Sequence, residues 1–258
     1  MRVPYRSSAA SSYQFGPGPL PPAIKLLIIA NVVVFVVQQV FGGAMIAAFG
    51  FSPAEAVGSL DLWQFVSYMF LHGGFGHILF NMLALWMFGT ELERMWGSNN
   101  FLQYYFVCGV GGALMTVVFS MLPVTFADDL WQTVTIGASG AVYGVLLAFG
   151  MYFPNRPILI YFLFPIPAKY FVMIFGGIAL LSSLSNAGGG IAHTTHLGGL
   201  VVGYLYLRRF ALTRARRSMS RGRAMAEIKY RYLRWKIDKA RKRFDVYPGG
   251  KDDDPRVH

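Results

Sequence analysis

The chain has 258 residues, of which 55% are hydrophobic and 14% charged, with a mean hydropathy of +0.45. Those values exclude an ordinary soluble globular domain, and the length allows one large domain or two small ones. The net charge of +11 is concentrated: 17 of the 23 Lys and Arg lie from Arg208 onward. Cys108 is the single cysteine and sits in an apolar run, which excludes a disulfide framework and a cysteine-based metal site.

In chain order, residues 1–22 contain the Ser-, Gly- and Pro-rich stretch SSAASSYQFGPGPLPP, which predicts a disordered lead. Six apolar runs follow, at about 24–42, 76–90, 101–122, 139–154, 168–186 and 192–210. Each approaches or reaches membrane-spanning length, so the expected fold class is an all-α polytopic membrane protein, a six-helix bundle over 23–210. The first run has a basic flank and is followed by GGAMIAAFG, two features of a cleaved signal peptide. Its long polar lead and long apolar run predict a retained span instead.

Six alternating spans put all 23 basic residues on the side of the termini. The opposite loops, about 43–75, 123–138 and 187–191, carry only Glu55, Asp61, Asp128 and Asp129. The positive-inside rule then predicts cytoplasmic termini; the expected location is a bacterial-style cytoplasmic membrane.

Polar and ionisable groups inside spans are functional candidates. LHGGFGHILFN at 71–81 places His77 and Asn81 one helical turn apart on a shared face. His72, before the GGFG turn, reads as a loop residue. The fourth run opens with TIGASGAVYG at 135–144 and must end before PNRP at 154–157. That leaves too little helix for a full hydrocarbon core, so Ser139 should start it below the outer surface. Irregular backbone at such depth must be buried in protein or line a water-filled cavity. The glycine-rich turn at Gly137 therefore predicts a cavity open to the outside.

In the sixth run, AHTTHLGGLVVG at 192–203 carries His193 and His196. Gly140 and Gly144 on span four, and Gly199 and Gly203 on span six, are small-xxx-small pairs on parallel helices. Packing of those faces would bring His196 to the depth of Ser139, with Tyr143 one turn below the serine. A serine beside an imidazole is an activated nucleophile. The Ser139 amide at a helix N-terminus, with His77 and Asn81, could supply oxyanion donors. A serine near glycine in a membrane helix is otherwise an ordinary packing device, and it is the conjunction with His196, His77 and Asn81 that favours chemistry. His193 reads as a solvated neighbour at a span end, and Ser182, Ser183 and Ser185 as a polar helix end.

These residues resemble the rhomboid intramembrane serine proteases. GASG is similar to that family's G-x-S-G nucleophile motif, HILFN to its H-x-x-x-N, and HLGGLVVG to its H-x-G-G-x-x-x-G. ELERMWGS at 91–98 is similar to its acidic, glycine-ended turn after span two. The resemblance covers roughly 20–210. It implies Ser139 as nucleophile, His196 as general base without a third triad member, His77 and Asn81 as oxyanion donors, and Tyr143 packed on the His196 ring. It also implies membrane-protein substrates that enter laterally, with a locally unstable helix and a small residue before the cut, past a mobile fifth span and a mobile loop at 182–191. Trp63-Gln64 departs from the family's usual Trp-Arg, which puts the anchoring of the first outer loop in question.

Zinc chemistry is disfavoured because H-E-x-x-H is absent and no carboxylate lies within either histidine cluster. No internal repeat suggests a transporter, and G-x-S-x-G is absent. No metal or cofactor is implied. A non-catalytic relative that only escorts membrane clients is the rival, but such relatives usually lack the serine or the histidine.

The segment 211–258 reads as a basic cytoplasmic tail. Ala226, Tyr230, Leu233, Ile237, Ala240 and Phe244 form a helical apolar stripe among many Lys and Arg. Anionic lipid is the expected partner, ahead of a partner or self-association helix, and nucleic acid is not expected.

Overall fold

The computed structural model describes residues 17–123, 127–160, 164–184 and 190–241. Most of the expected disordered lead, much of the loop at 182–191, the side chains of Ala226 and Ala240, and all of Phe244 lie outside the described residues.

Helix α1 (Pro22–Phe41) opens with Pro22 in its first turn, where a missing N–H is no loss. Its next two amides are capped from a distant element. Glu93 accepts from Ala23 N–H at 2.8 Å and from Ile24 N–H at 2.9 Å, and Ser98 Oγ donates to it at 2.6 Å. A carboxylate there satisfies orphan donors and suits the helix dipole. This corrects the reading of ELERMWGS as a turn. Helix α4 (Phe75–Ala84), a π-helical turn (Leu85–Gly89) and α5 (Thr90–Trp96) run on through it. The chain turns only at Gly97, whose φ of +81° favours glycine.

Between α1 and α4 lie α2 (Gly43–Phe49), a π-helical turn (Ala54–Gly58), α3 (Gln64–Ser67) and a 3-10 turn (Tyr68–Phe70). Gln64 anchors this segment itself. It is buried, accepts from Ser52 N–H at 3.2 Å and donates to Glu55 Oε2 at 2.7 Å. Trp63 Nε1 adds a hydrogen bond to Ala48 O at 2.9 Å.

Helix α6 (Ser98–Ser120) is central, with Phe101, Tyr104, Tyr105, Cys108 and Ala113 fully buried. It packs along α8 (Ser139–Tyr152), and α7 (Ala127–Gln132) occupies part of the connection between them. After α8, the prolines at 154, 157, 165 and 167 oppose helix. The chain makes an antiparallel hairpin of β1 (Pro157–Ile160) and β2 (Phe164–Pro167), with Pro157 opposite Pro167. Hydropathy alone did not predict it. Arg156 holds Glu91 in a two-bond ion pair at 2.6 and 3.1 Å. Helix α9 (Ala168–Leu184) follows, then α10 (Gly190–Arg241). The expected end of span six near 210 is not a helix end, because no proline interrupts the 52 residues of α10.

The chain divides into two compact units, Met1–Leu207 and Arg208–His258. In the second, Ile228, Tyr232, Leu233, Trp235 and Ile237 are exposed. Lys239 lies over the Trp235 ring at 4.9 Å, and Tyr232 stacks on Trp235 at 6.1 Å.

In the first unit, α1 and α6 are long and apolar enough to cross a membrane. The pair Gln64–Phe70 and Phe75–Trp96, bent by 99°, is a third candidate, and α8 and α9 are apolar but shorter. On α1, Leu26, Val33, Val36, Val40 and Phe41 are exposed, as a lipid-facing surface requires. The fold is a multi-pass helical membrane bundle. The count of six spans rests on the sequence reading.

Candidate active site

Ser139 is the first residue of α8, and the segment before it is tethered on two sides. Phe51 and Thr135 exchange backbone hydrogen bonds at 2.9 and 2.7 Å, and Gly137 N–H donates to Tyr68 O at 2.9 Å. Tyr68 is fully buried, and its hydroxyl donates to Gly109 O on α6 at 2.8 Å. Gly137 has φ +122°, and a Cβ there would lie 2.7 Å from His77 Nε2. Glycine is required twice over, by backbone conformation and by the imidazole against it.

The second imidazole comes from α10. A Cβ on Gly199 would collide with the Gly140 carbonyl, and one on Gly203 would lie 3.5 Å from Gly144 Cα. Such close backbone approach fixes the axial register of two helices. In that register His196 Nε2 is 2.6 Å from Ser139 Oγ. Tyr143 stacks flat on the His196 ring, with centroids 4.3 Å apart and planes 8° from parallel.

Helix α6 braces both partners, which the sequence reading missed. Thr116 Oγ1 hydrogen-bonds Thr195 Oγ1 at 2.8 Å, and Tyr104 donates to Gly144 O at 2.7 Å. A Cβ on Gly112 would press on the Thr195 carbonyl at 2.6 Å. The signal was present as GVGGA at 109–113, the small residues that close helix contacts need.

His77 lies in the first turn of α4, with Nδ1 accepting from Gly73 N–H at 3.2 Å. A neutral imidazole that accepts at Nδ1 carries its proton on Nε2, the atom beside Gly137. Asn81 is buried one turn on and uses one amide N–H on His77 O at 2.9 Å, leaving its second N–H.

Two histidines differ from expectation. His72 is not a solvated loop residue: it is 1% exposed, with its ring edge-on to His77 at 5.1 Å. His193 is half-buried and edge-on to His196 at 5.8 Å. Its Nδ1 and that of His196 are buried without hydrogen-bond partners among the described residues. The neighbours that a single-helix reading does not see are Gln38 of α1, bonded to the His72 backbone, and Thr116 of α6, bonded to Thr194 beside His193. Among the described residues no three His, Cys, Asp or Glu side chains converge as metal ligands would.

Ser139, His196, His77, Asn81 and Tyr143 border one cavity of about 700 Å³, whose apolar wall includes Phe80, Met87, Leu146, Phe171 and Phe175. A hydroxyl within hydrogen-bond reach of an imidazole, facing a space with further N–H donors, is arranged for acyl transfer.

The comparisons agree on the class. The family model described as "Rhomboid domain" matches residues 59–212. The chain belongs to the rhomboid family. It is 31% identical over 216 residues to "Rhomboid protease GluP" of Bacillus subtilis (strain 168), covering 81% of this chain and 38% of that protein. It is 36% identical over 138 residues to "Rhomboid protein 1, mitochondrial" of Saccharomyces cerevisiae, covering 53% and 38% respectively. With "Rhomboid protease AarA" of Providencia stuartii it shares 26% identity over 219 residues, 77% of this chain and 75% of that protein. The matches thus span well under half the length of the first two relatives.

Proposed function

We propose that the chain is an intramembrane serine endopeptidase that hydrolyses a peptide bond in or near the transmembrane segment of another membrane protein. The observation that carries this reading is the 2.6 Å contact between Ser139 Oγ and His196 Nε2 at the edge of the cavity.

His196 takes the hydroxyl proton on Nε2 as Ser139 Oγ attacks the scissile carbonyl carbon. The carbonyl oxygen becomes an oxyanion, held by the Ser139 amide at the N-terminus of α8 and by the Nε2–H of His77, with the second N–H of Asn81 on the same cavity as a further donor. Collapse expels the amine, which leaves with the proton from His196, and an ester remains on Ser139. Water then attacks the ester, giving a proton to His196; collapse breaks the bond to Ser139 Oγ, which takes that proton back from His196, and the acid product departs. Tyr143 holds the imidazole plane through this cycle. The chemistry needs no metal.

The topology that fits the charge distribution has six spans, both termini cytoplasmic and the cavity reached from the outer side. Substrate enters laterally from the bilayer, as membership of the family implies. The basic second unit lies on anionic lipid, with Tyr230, Leu233 and Ile237 of its apolar stripe, all exposed, seating in the interface among its many Lys and Arg. Flotation with vesicles that contain phosphatidylglycerol, compared with zwitterionic vesicles, checks that assignment.

The test is cleavage of a generic transmembrane substrate by purified protein. Wild type cleaves with or without EDTA, and Ser139→Ala and His196→Ala do not. Cleavage that survives Ser139→Ala and is lost with EDTA would overturn the mechanism.

A further inference from the structure

Gln38 lies in the last turn of α1, a predominantly apolar helix, and its side chain is buried. The mechanism above gives it no part. Its carboxamide grips one residue in both directions. Nε2 donates to His72 O at 2.7 Å, and Oε1 accepts from His72 N–H at 3.0 Å. The His72 carbonyl and the Gly73 N–H are the two ends of one planar peptide unit. Holding the oxygen therefore fixes where the N–H points, and that N–H donates to His77 Nδ1 at 3.2 Å. An imidazole that accepts at Nδ1 must carry its proton on Nε2, the atom that lies against Gly137 beside Ser139.

We propose that Gln38 is a positioning residue that holds His77 in its Nε2–H tautomer, acting through the His72–Gly73 peptide. The proposal rests on the reading of His77 as an oxyanion donor. In the other tautomer, Nε2 presents a lone pair to the oxyanion and repels it. A free imidazole populates both forms, so the choice has to be made by a hydrogen bond at the far nitrogen. Gly73 makes that bond, and its backbone lies before α4 without helical hydrogen bonds of its own to orient it. The grip from α1 supplies the missing constraint. His72 completes the arrangement: its Nδ1 bonds Phe70 O at 3.3 Å, which keeps its ring from competing for the Gly73 amide.

The test reads the tautomer directly, by nitrogen NMR of full-length protein labelled with 15N-histidine, His77→Asn serving to assign the resonances. Wild type should show His77 protonated at Nε2 and bare at Nδ1. Gln38→Met, which matches the side chain in size, should give a mixture with a clear Nδ1–H population. Its kcat per active site, counted with a fluorophosphonate probe, should fall about 10-fold, as loss of one ordinary hydrogen bond predicts, while KM changes little. Gln38→Leu, which can neither donate to His72 O nor accept from its N–H, should shift the tautomer in the same way and serves if the Met variant fails to fold. An unchanged His77 tautomer in either folded variant overturns the proposal. The NMR readout needs no substrate. A tautomer shift in a protein that never cleaves would therefore overturn the proteolytic reading and leave the role of Gln38 standing.

Discussion

Ser139 sits between two kinds of packing. Toward α6 and α10 there is no spare room: a Cβ on Gly112, Gly140 or Gly199 would press into a neighbouring backbone or side chain. Toward α4 and α9 lies the cavity of about 700 Å³, walled by Phe80, Phe171 and Phe175 and bordered by Gly76, and a Cβ added at Gly76, or at Gly177 elsewhere on α9, would meet nothing within 4 Å. On the proposed reading the difference follows from what each side does: holding two side chains at 2.6 Å needs a fixed helix register, whereas admitting a substrate segment would need volume. Changes on the crowded side should damage register and stability together. Changes on the open side should alter which substrates fit and leave the fold intact.

The largest expected effect apart from loss of the dyad comes at their junction. His77→Ala removes a donor aimed at the serine turn, and should lower kcat by about 10² to 10³ while KM holds. A steady-state comparison on one transmembrane substrate measures the split. Next, Gly199→Ala forces a methyl into the Gly140 carbonyl, with a destabilisation of about 1–3 kcal/mol and a parallel loss of activity. Thermal unfolding followed by proteolysis checks both. On the open side, Phe175→Ala enlarges the cavity, and should change relative kcat/KM between substrates with large and small side chains by about 10-fold or less, with little change in Tm. The smallest effect is that of Gly177→Ala, within about 0.5 kcal/mol of wild type. Equal sensitivity at Gly177 and Gly199 would erase the contrast.

Much of the crowded side was legible in the sequence because glycine spacing carries register. The pairs Gly140/Gly144 and Gly199/Gly203 face each other in the structure, and the serine and histidine that they flank meet. The third helix of that junction was missed because glycines in α6 only acquire meaning once its neighbours are known. The open side was less legible. Which aromatic side chains wall a cavity depends on the tilt of α4 and α9, and no periodicity encodes tilt. Buried polar residues were misjudged for a related reason. Gln38 and His72 look incidental along their own helix or loop, and their partners are 34 residues apart in sequence. Glu93, by contrast, was noticed as part of a motif but read as a turn, when its carboxylate caps the start of α1.

The central claim, that Ser139 is a nucleophile activated by His196, is tested most directly by covalent labelling. Purified protein would be treated with a fluorophosphonate probe and the modified residue located by mass spectrometry. The account predicts one adduct, on Ser139 Oγ, that disappears in Ser139→Ala and is strongly reduced in His196→Ala. Labelling at a different serine, or equal labelling with and without His196, would contradict it.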